Sequence, residues 1–208
     1  GHEVAQSAED LAEWIRRARV DVIALQEMTD NDNNDGTRRN RTMDVVFEIL
    51  SEVPGQDWSY RLFENRNAAD TSELCGIGWN KAAVTRIGRP YQVPIEHLPD
   101  DRYFEWDRHP QAMKFQVNET AVQFVVISLH MKSGSRFAAQ RRIEAQSLIA
   151  ALPKVRNVFE TEEIVLIGDC NVRHDNERAM QIIEKDGFRN MLARRTSTAT
   201  FAFRPADR

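Results

Sequence analysis

Two apolar runs that each end in polar residues with a carboxylate most constrain what this chain can fold into. Residues 20–27 read Val-Asp-Val-Ile-Ala-Leu-Gln-Glu, and residues 165–171 read Val-Leu-Ile-Gly-Asp-Cys-Asn. Both runs are too apolar for a surface strand, so each predicts a strand that crosses a core and presents its carboxylate at the core's mouth. Glu27 and Asp169 are therefore expected at strand exits.

A third run of the same kind, residues 125–133, places His130 at its exit. A carboxylate, a histidine and an Asp-x-Asn pair at strand exits indicate a metal-assisted hydrolase site. Mg²⁺ prefers oxygen ligands and keeps several waters, so Glu27 and a substrate phosphate would suffice to hold it. Asp169 would orient or deprotonate a water, Asn171 would donate to a phosphoryl oxygen, and His130 would donate to the phosphate or protonate the leaving oxygen.

Each of these residues also has a plainer interpretation. A glutamate at a strand end is usually solvated, and a lone histidine after an apolar strand is more often a packing residue. The run Asp169-Cys170-Asn171 could by itself form an Asx turn. The joint occurrence of these residues at strand exits favours the hydrolase site.

The composition is that of an ordinary globular protein. The chain has 208 residues, of which 41% are hydrophobic and 29% charged, so disordered, fibrous and membrane classes are disfavoured. No run approaches the length of a membrane span and no signal peptide is recognisable, so we expect no stable membrane insertion. We expect a soluble monomer, and the sequence does not indicate its compartment. The two cysteines, Cys75 and Cys170, are expected to be reduced thiols.

The charge pattern gives little support for bulk attraction to nucleic acid. The formal net charge is −4, which argues against a protein held to DNA by charge alone. Local basic patches remain, and we expect most of their members to lie on solvated loop and helix faces. These members are Arg38, Arg39, Arg41, Lys132, Arg136, Arg141 and Arg142.

The periodicity predicts helices and strands in an α+β order. A helix is expected to begin near Ser7 and to lead into the first strand, and a turn-rich loop follows over residues 29–42. We expect Pro153 to end a helix over residues 136–152. The other expected helices include residues 45–50 and 179–185, and the other expected strands are residues 60–63, 76–79, 83–85, 113–117, 121–129 and 198–203. This order predicts two mainly antiparallel sheets packed face to face with helices outside.

Several of these segments together resemble the endonuclease/exonuclease/phosphatase superfamily, and in particular its deoxyribonuclease I-like members. The matching segments are residues 21–27, 108–110, 128–133, 168–171 and 200–201. The resemblance implies a four-layered α/β sandwich. It also implies that Glu27 is the ligand of Mg²⁺, for which Mn²⁺ or Ca²⁺ could substitute, and that His130 is a catalytic histidine.

The same resemblance implies roles for the remaining site residues. Asp169 and Asn171 would handle the water and the phosphate, and Arg108 would lie near the scissile phosphate. Glu73 would be a carboxylate partner of the histidine. The plainer interpretation of Arg108 and Glu73 is that both are exposed loop residues.

Two expected family elements are not found in residues 1–208. Family members begin with a strand that carries an asparagine and end with a strand that carries Ser-Asp-His, and neither is recognisable here. We therefore expect residues 1–208 to form a single domain that lacks the family's first and last strands, with uncertain activity by itself.

Three functions remain open on the sequence. The leading one is a magnesium-dependent phosphodiester hydrolase, namely an endonuclease with DNA as its substrate, because residues 130–133 and the helix with Arg141 and Arg142 resemble nuclease-type members. The second is a phosphatase or phospholipase-type hydrolase of inositol phosphates or sphingomyelin. The third is a catalytically inactive binding protein on the same fold.

Overall fold

Two β-sheets face each other in this protein, and helices cover their outer faces. The computed structural model describes residues 7–31, 37–64, 71–96 and 106–191. The first sheet has the order β1-β3-β2 and is antiparallel throughout. The second has the order β4-β5-β6-β7, and only its β6–β7 pair is parallel. The strands are β1 (Val22–Met28), β2 (Trp58–Leu62), β3 (Leu74–Asn80), β4 (Val84–Gln92), β5 (Gln111–Val117), β6 (Gln123–His130) and β7 (Ile164–Asp169).

Four α-helices in the described ranges complete the layers. The first sheet packs against α1 (Ala8–Ala18) and α2 (Arg41–Ser51), and the second against α3 (Ala138–Phe159) and α4 (Arg178–Lys185). Helix α1 begins where the sequence predicts, because the Ser7 hydroxyl accepts a hydrogen bond from the Asp10 amide at 3.0 Å. The predicted four-layered sandwich is confirmed.

A third core cluster fills the space between the two sheets. Ile77 and Trp79 of β3 meet Met113 and Phe115 of β5 there, and all four side chains are buried. Strand β3 is buried at every position, since it is central in its sheet and is covered on both faces. Because two packed sheets hold each other at a defined angle, this core sets which strand ends lie close together.

The two strands expected to cross a core are only partly buried. Among the described strands, β1 and β7 lie at the edges of their sheets, and most of their residues are half-buried. An edge strand has a neighbour on one side only, so its apolar side chains are less enclosed than those of a central strand. Both strands thus contribute residues to a core, as expected, but are less buried than β3, which is buried at every position.

Helix α3 does not end at Pro153, contrary to expectation. It continues to Phe159 with Pro153 inside it. Pro153 is exposed, whereas Val155 and Phe159 beyond it are buried in the core. A proline removes one backbone hydrogen bond, and burial of the apolar residues that follow offsets this loss.

Other sequence expectations have mixed outcomes. The loop over residues 29–42 and the strand over residues 198–203 lie partly or wholly outside the described residues. Both cysteines are free thiols, as expected, and the structure shows that both are buried. The single-domain boundary stays a prediction. Among the described residues, no helix has the length and apolar character needed to cross a membrane.

Candidate active site

Strands β6 and β7 bring the predicted histidine and the predicted aspartate side by side. Their parallel register pairs His130 with Asp169, which are the last residues of the two strands. The Met131 amide then donates to the Asp169 carbonyl oxygen at 2.9 Å, so the pairing extends one residue beyond the sheet. Two residues 39 positions apart in sequence thus share one sheet end.

Glu27 reaches the same end from the opposite sheet. Strand β1 has a bulge between Leu25 and Met28, and Glu27 within it has φ of 56°. The Gln26 side chain donates from Nε2 to Ser128 Oγ on β6 at 3.2 Å, which ties β1 to the second sheet. Glu27 Oε1 consequently lies 3.8 Å from His130 Nε2, with the Glu27 side chain 72% exposed.

Asn171 is held against both strands. Its backbone amide donates to Asp169 Oδ1 at 2.7 Å, which is the hydrogen bond of an Asx turn. Its side-chain Nδ2 donates to the Met131 carbonyl oxygen at 2.9 Å. The amide carries two N–H groups, so one donor remains for a ligand. The plainer Asx-turn interpretation is therefore right about the backbone, and it leaves the side chain available.

Arg108 and Glu73 form an ion pair beside the histidine. Arg108 Nη1 donates to Glu73 Oε2 at 2.6 Å, and the Arg108 side chain is only 8% exposed. Arg108 is thus not the exposed loop residue of the plainer interpretation. Within the described residues the Arg108 Nε has no hydrogen-bond partner. Neither ring nitrogen of His130 is hydrogen-bonded within the described residues, so the role of Glu73 as a histidine partner stays a prediction.

His130 is a buried imidazole with unused hydrogen-bonding capacity. Its residue is 2% exposed, and neither ring nitrogen has a hydrogen-bond partner in the described part of the chain. Burial lowers its pKa, and the Arg108 charge lowers it further, whereas Asp169, Glu27 and Glu73 oppose the shift. Buried polar atoms are normally paired, so this ring is suited to receive a ligand or a water.

Unusual backbone conformations concentrate at the predicted site. Outside glycine, the described residues with positive φ fall into two groups. Arg19 and Glu160 cap helices, and Ala121 lies in the β5–β6 turn. The other group is Glu27, Glu73 and Asn171, with φ values of 56°, 53° and 51°. Left-handed backbone is costly for glutamate, is tolerated better by asparagine, and is found preferentially at functional sites.

Sequence reasoning missed a polar network behind the site. Arg141, expected on a solvated face, is fully buried, and its guanidinium contacts Glu177. Glu144 is 1% exposed, and its Oε2 accepts a hydrogen bond from the Lys132 amide at 3.0 Å. Burial raises the pKa of Glu144 to about 7, and the Lys132 amide opposes this shift.

A sequence signal for this network existed. Arg141 and Glu144 lie on the α3 stripe that continues through Leu148, Leu152 and Val155, which are all buried. Helical spacing places these positions on one face. Charged residues that share a helix face with an apolar stripe are expected to be buried and to need polar partners, and this pattern could have indicated the network.

The charge of the predicted basic patches is neutralised in part by ion pairs within the chain. Arg38 contacts Asp30 at 2.8 Å, Arg39 contacts Asp44, and Lys132 contacts Asp107 at 2.5 Å. With Arg141 and Glu177, these ion pairs offset four of the seven basic side chains, whereas Arg142 bonds the neutral Gln146 and Arg136 lies over the Phe137 ring.

The described residues hold no group of three or more His, Cys, Asp or Glu side chains placed to bind a metal ion together. Two carboxylate residues lie beside His130, namely Glu27, at 3.8 Å from its Nε2, and Asp169, its register partner on β7. Sites with many protein ligands, such as structural zinc sites, are thereby absent from the described residues.

One comparison with known proteins identifies a family. A sequence model of the Endonuclease/Exonuclease/phosphatase family matches residues 2–205. A comparison with curated proteins found no match. The family model therefore confirms the resemblance that the sequence motifs suggested.

Solved structures share the fold at low sequence identity. The human Nocturnin catalytic domain superposes with a TM-score of 0.62 at 12% identity, over 88% of this chain and 63% of that chain. A mannosyl-6-phosphatase of Bacteroides thetaiotaomicron gives 0.59 at 15% identity, over 90% and 64%. TDP2 of D. rerio, complexed with a single-strand DNA product, gives 0.54 at 15% identity, over 92% and 63%. The chain thus spans less than two thirds of the length of each of these structures.

Proposed function

This chain belongs to the Endonuclease/Exonuclease/phosphatase family, and from that premise we propose that it acts in a metal-dependent phosphodiester hydrolase. The observation that carries the proposal is His130, a buried imidazole with two unpartnered nitrogens. The charges that act on it are one cation, Arg108, and three carboxylates, Asp169, Glu27 and Glu73. This arrangement suits a phosphoester, which offers anionic oxygens to the donors and an electrophilic phosphorus to water.

Arg108 is the residue suited to bind the phosphate. Its guanidinium is held by Glu73 through Nη1, and its Nε makes no hydrogen bond within the described residues. Arginine binds phosphate oxygens through its planar fork of N–H groups, and burial strengthens such charge-assisted hydrogen bonds. The second Nδ2 hydrogen of Asn171 would donate to another phosphoryl oxygen.

Asp169 and His130 are the residues suited to move protons. Asp169 Oδ1 accepts from the Asn171 amide, which leaves Oδ2 to orient the attacking water and accept its proton. The water oxygen would bond to phosphorus as the bond to the leaving oxygen breaks. His130 would donate a hydrogen bond to the phosphate, and the charge of a bound anion would favour its protonated form. That form could protonate the leaving oxygen.

The residues present fit a magnesium ion. Mg²⁺ is usually held by one or two carboxylates, waters and substrate phosphate, and Glu27 supplies an exposed carboxylate here. Bound near Glu27, the ion would offset negative charge that develops on the phosphoryl oxygens. Mn²⁺ or Ca²⁺ have the same preference for oxygen ligands and are alternatives to be tested.

DNA is our first candidate substrate. It rests on the nuclease-like segment at residues 130–133 and on the phosphate-binding arrangement described above. The burial of Arg141 removes one of the two helix arginines on which this choice depended. That burial, with the net charge of −4, favours a small phosphoester as the second candidate.

The decisive experiment compares cleavage of supercoiled plasmid, bis-p-nitrophenyl phosphate and p-nitrophenyl phosphate, each with magnesium and with chelator. Asp169→Ala is the test variant, and Asp175→Ala in the exposed loop that follows is the matched control. Magnesium-dependent nicking that only Asp169→Ala abolishes would support a DNA endonuclease. Turnover of the monoester alone would favour a phosphatase. A folded protein inactive on all three substrates would overturn the hydrolase proposal in favour of a binding protein.

A further inference from the structure

Arg141 connects three parts of the chain through one buried guanidinium. Its Nε and Nη2 donate to the two carboxylate oxygens of Glu177 at 2.6 and 3.0 Å. Its Nη1 donates to the carbonyl oxygens of Lys132 and Gly134 at 2.8 and 2.9 Å. Every nitrogen of the guanidinium is used, and the residue is fully buried.

The partners of Arg141 belong to the two segments that carry the site. Lys132 and Gly134 follow His130 directly, in the segment of residues 131–137 that we call the histidine loop. Glu177 lies at the end of residues 169–177, which begin with Asp169 and Asn171 and which we call the aspartate loop. Arg141 itself lies in α3. One side chain therefore bridges both loops from a rigid helix.

Shorter contacts join the same two loops nearer to the site. Asn171 Nδ2 donates to the Met131 carbonyl oxygen, and the Met131 amide donates to the Asp169 carbonyl oxygen, both at 2.9 Å. Glu144, one helical turn after Arg141, accepts from the Lys132 amide. The histidine loop is thus held by α3 on one side and by the aspartate loop on the other.

Stabilisation of the fold is not a sufficient explanation for the Arg141–Glu177 ion pair. The Arg141 and Glu177 side chains are 1% and 13% exposed, so both charges have lost most of their hydration. A buried ion pair is often no more stabilising than apolar residues of the same volume, because desolvation offsets the attraction. The two parallel hydrogen bonds from Arg141 to Glu177, by contrast, fix the distance and orientation between the two side chains.

We propose that Arg141 and Glu177 are positioning residues that set the histidine loop and the aspartate loop relative to each other. Neither residue touches the predicted reacting atoms. Both act through the backbone that carries His130, Asp169 and Asn171. The catalytic part of this inference rests on the proposed hydrolase function, whereas the coupling of the two loops does not.

The coupling is tested by hydrogen–deuterium exchange, which needs no activity. Glu177→Gln lies in the aspartate loop, and we expect it to speed amide exchange in the histidine loop. Arg141→Lys keeps a positive charge but cannot reach all these acceptors, and it should speed exchange in both loops. Arg178→Lys, an exposed neighbour of Glu177, is the matched control and should change neither.

The exchange and kinetic measurements also distinguish a positioning role of Arg141 and Glu177 from a general role in stability. If Glu177→Gln alters only the aspartate loop, or if exchange rises equally in β4 and β5, the proposal is wrong. Where wild type hydrolyses bis-p-nitrophenyl phosphate, Arg141→Lys should lower kcat about 10- to 100-fold with little change in KM, at a temperature where both are folded. An unchanged kcat would overturn the catalytic part alone. An inactive wild type would count against the proposed function and leave the exchange test intact.

Discussion

Gly168 and Leu129 lie opposite each other on the parallel strands β7 and β6, so close that a Cβ on Gly168 would stand 2.0 Å from the Leu129 carbonyl oxygen. Gly168 also has φ of 138°, which other residues rarely adopt. The next register pair is His130 with Asp169. The missing side chain of Gly168 therefore permits the strand approach that brings the two predicted catalytic residues together.

Gly168→Ala should destabilise the protein by about 3 kcal/mol or more, because the new methyl group meets backbone that cannot move aside and adds to the cost of positive φ. Gly187→Ala is the matched control, since Gly187 has φ of 101° and open space around it. It should cost only about 1 to 2 kcal/mol. Urea denaturation of the three proteins measures both values, and equal losses would refute the close-contact argument.

Arg108→Gln should raise the pKa of His130, because removal of the nearby positive charge makes protonation of the imidazole easier. Glu73→Gln should lower it, because a carboxylate that favours the protonated ring is lost. Titration of the His130 imidazole signals by NMR in wild type and both variants measures the two shifts. A lower His130 pKa in Arg108→Gln, or a higher one in Glu73→Gln, would contradict the arrangement of charges around His130.

Glu144→Gln should change how stability depends on pH. Burial raises the folded-state pKa of Glu144 from 4.5 to about 7. A raised carboxyl pKa contributes stability below the unfolded-state value, and this contribution is lost as pH rises towards about 7. Between about pH 5 and pH 8, wild type should therefore lose roughly 2 to 3 kcal/mol relative to the glutamine variant.

Chemical denaturation at these two pH values measures that difference. The exposed Glu184→Gln is the control, and it should keep the pH dependence of wild type. A Glu144→Gln profile parallel to that of wild type would mean that Glu144 does not titrate in this range.

His130→Ala should remove most turnover while substrate binding is retained, since Arg108 and Asn171 remain to contact the phosphate. General acid–base catalysis by a side chain typically contributes about 10²- to 10⁴-fold, so kcat should fall within that range. Steady-state kinetics on bis-p-nitrophenyl phosphate measure it. Normal turnover by the variant would exclude His130 from the site.

Glu27→Gln should raise the magnesium concentration needed for half-maximal activity, because an amide binds a hard cation more weakly than a carboxylate does. Its exposed side chain predicts little change in stability. A magnesium titration of activity, with a thermal melt of the same variant, separates the two effects. Unchanged magnesium dependence would show that Glu27 is not a ligand of the metal ion.

The features that the sequence predicted correctly depend on residues that are close together along the chain. The strand exits at Glu27, His130 and Asp169 follow from apolar runs that stop at polar residues, and the α1 start follows from Ser7 and its hydrogen bond to Asp10. Local patterns also predicted the sandwich, because helix and strand periodicities differ. The end of α3 was missed because the burial of Phe159 is not visible beside Pro153.

By itself, the sequence determined the order of the helices and strands, the family and the residue types available for phosphoester chemistry. Only the tertiary structure decided that Glu73 contacts Arg108, that a bulge in β1 turns Glu27 towards His130, and that Arg141 is buried against Glu177. The reason is physical. Propensity and periodicity act over a few residues, whereas strand register, sheet packing and the desolvation of charges depend on groups that the chain brings together from far apart.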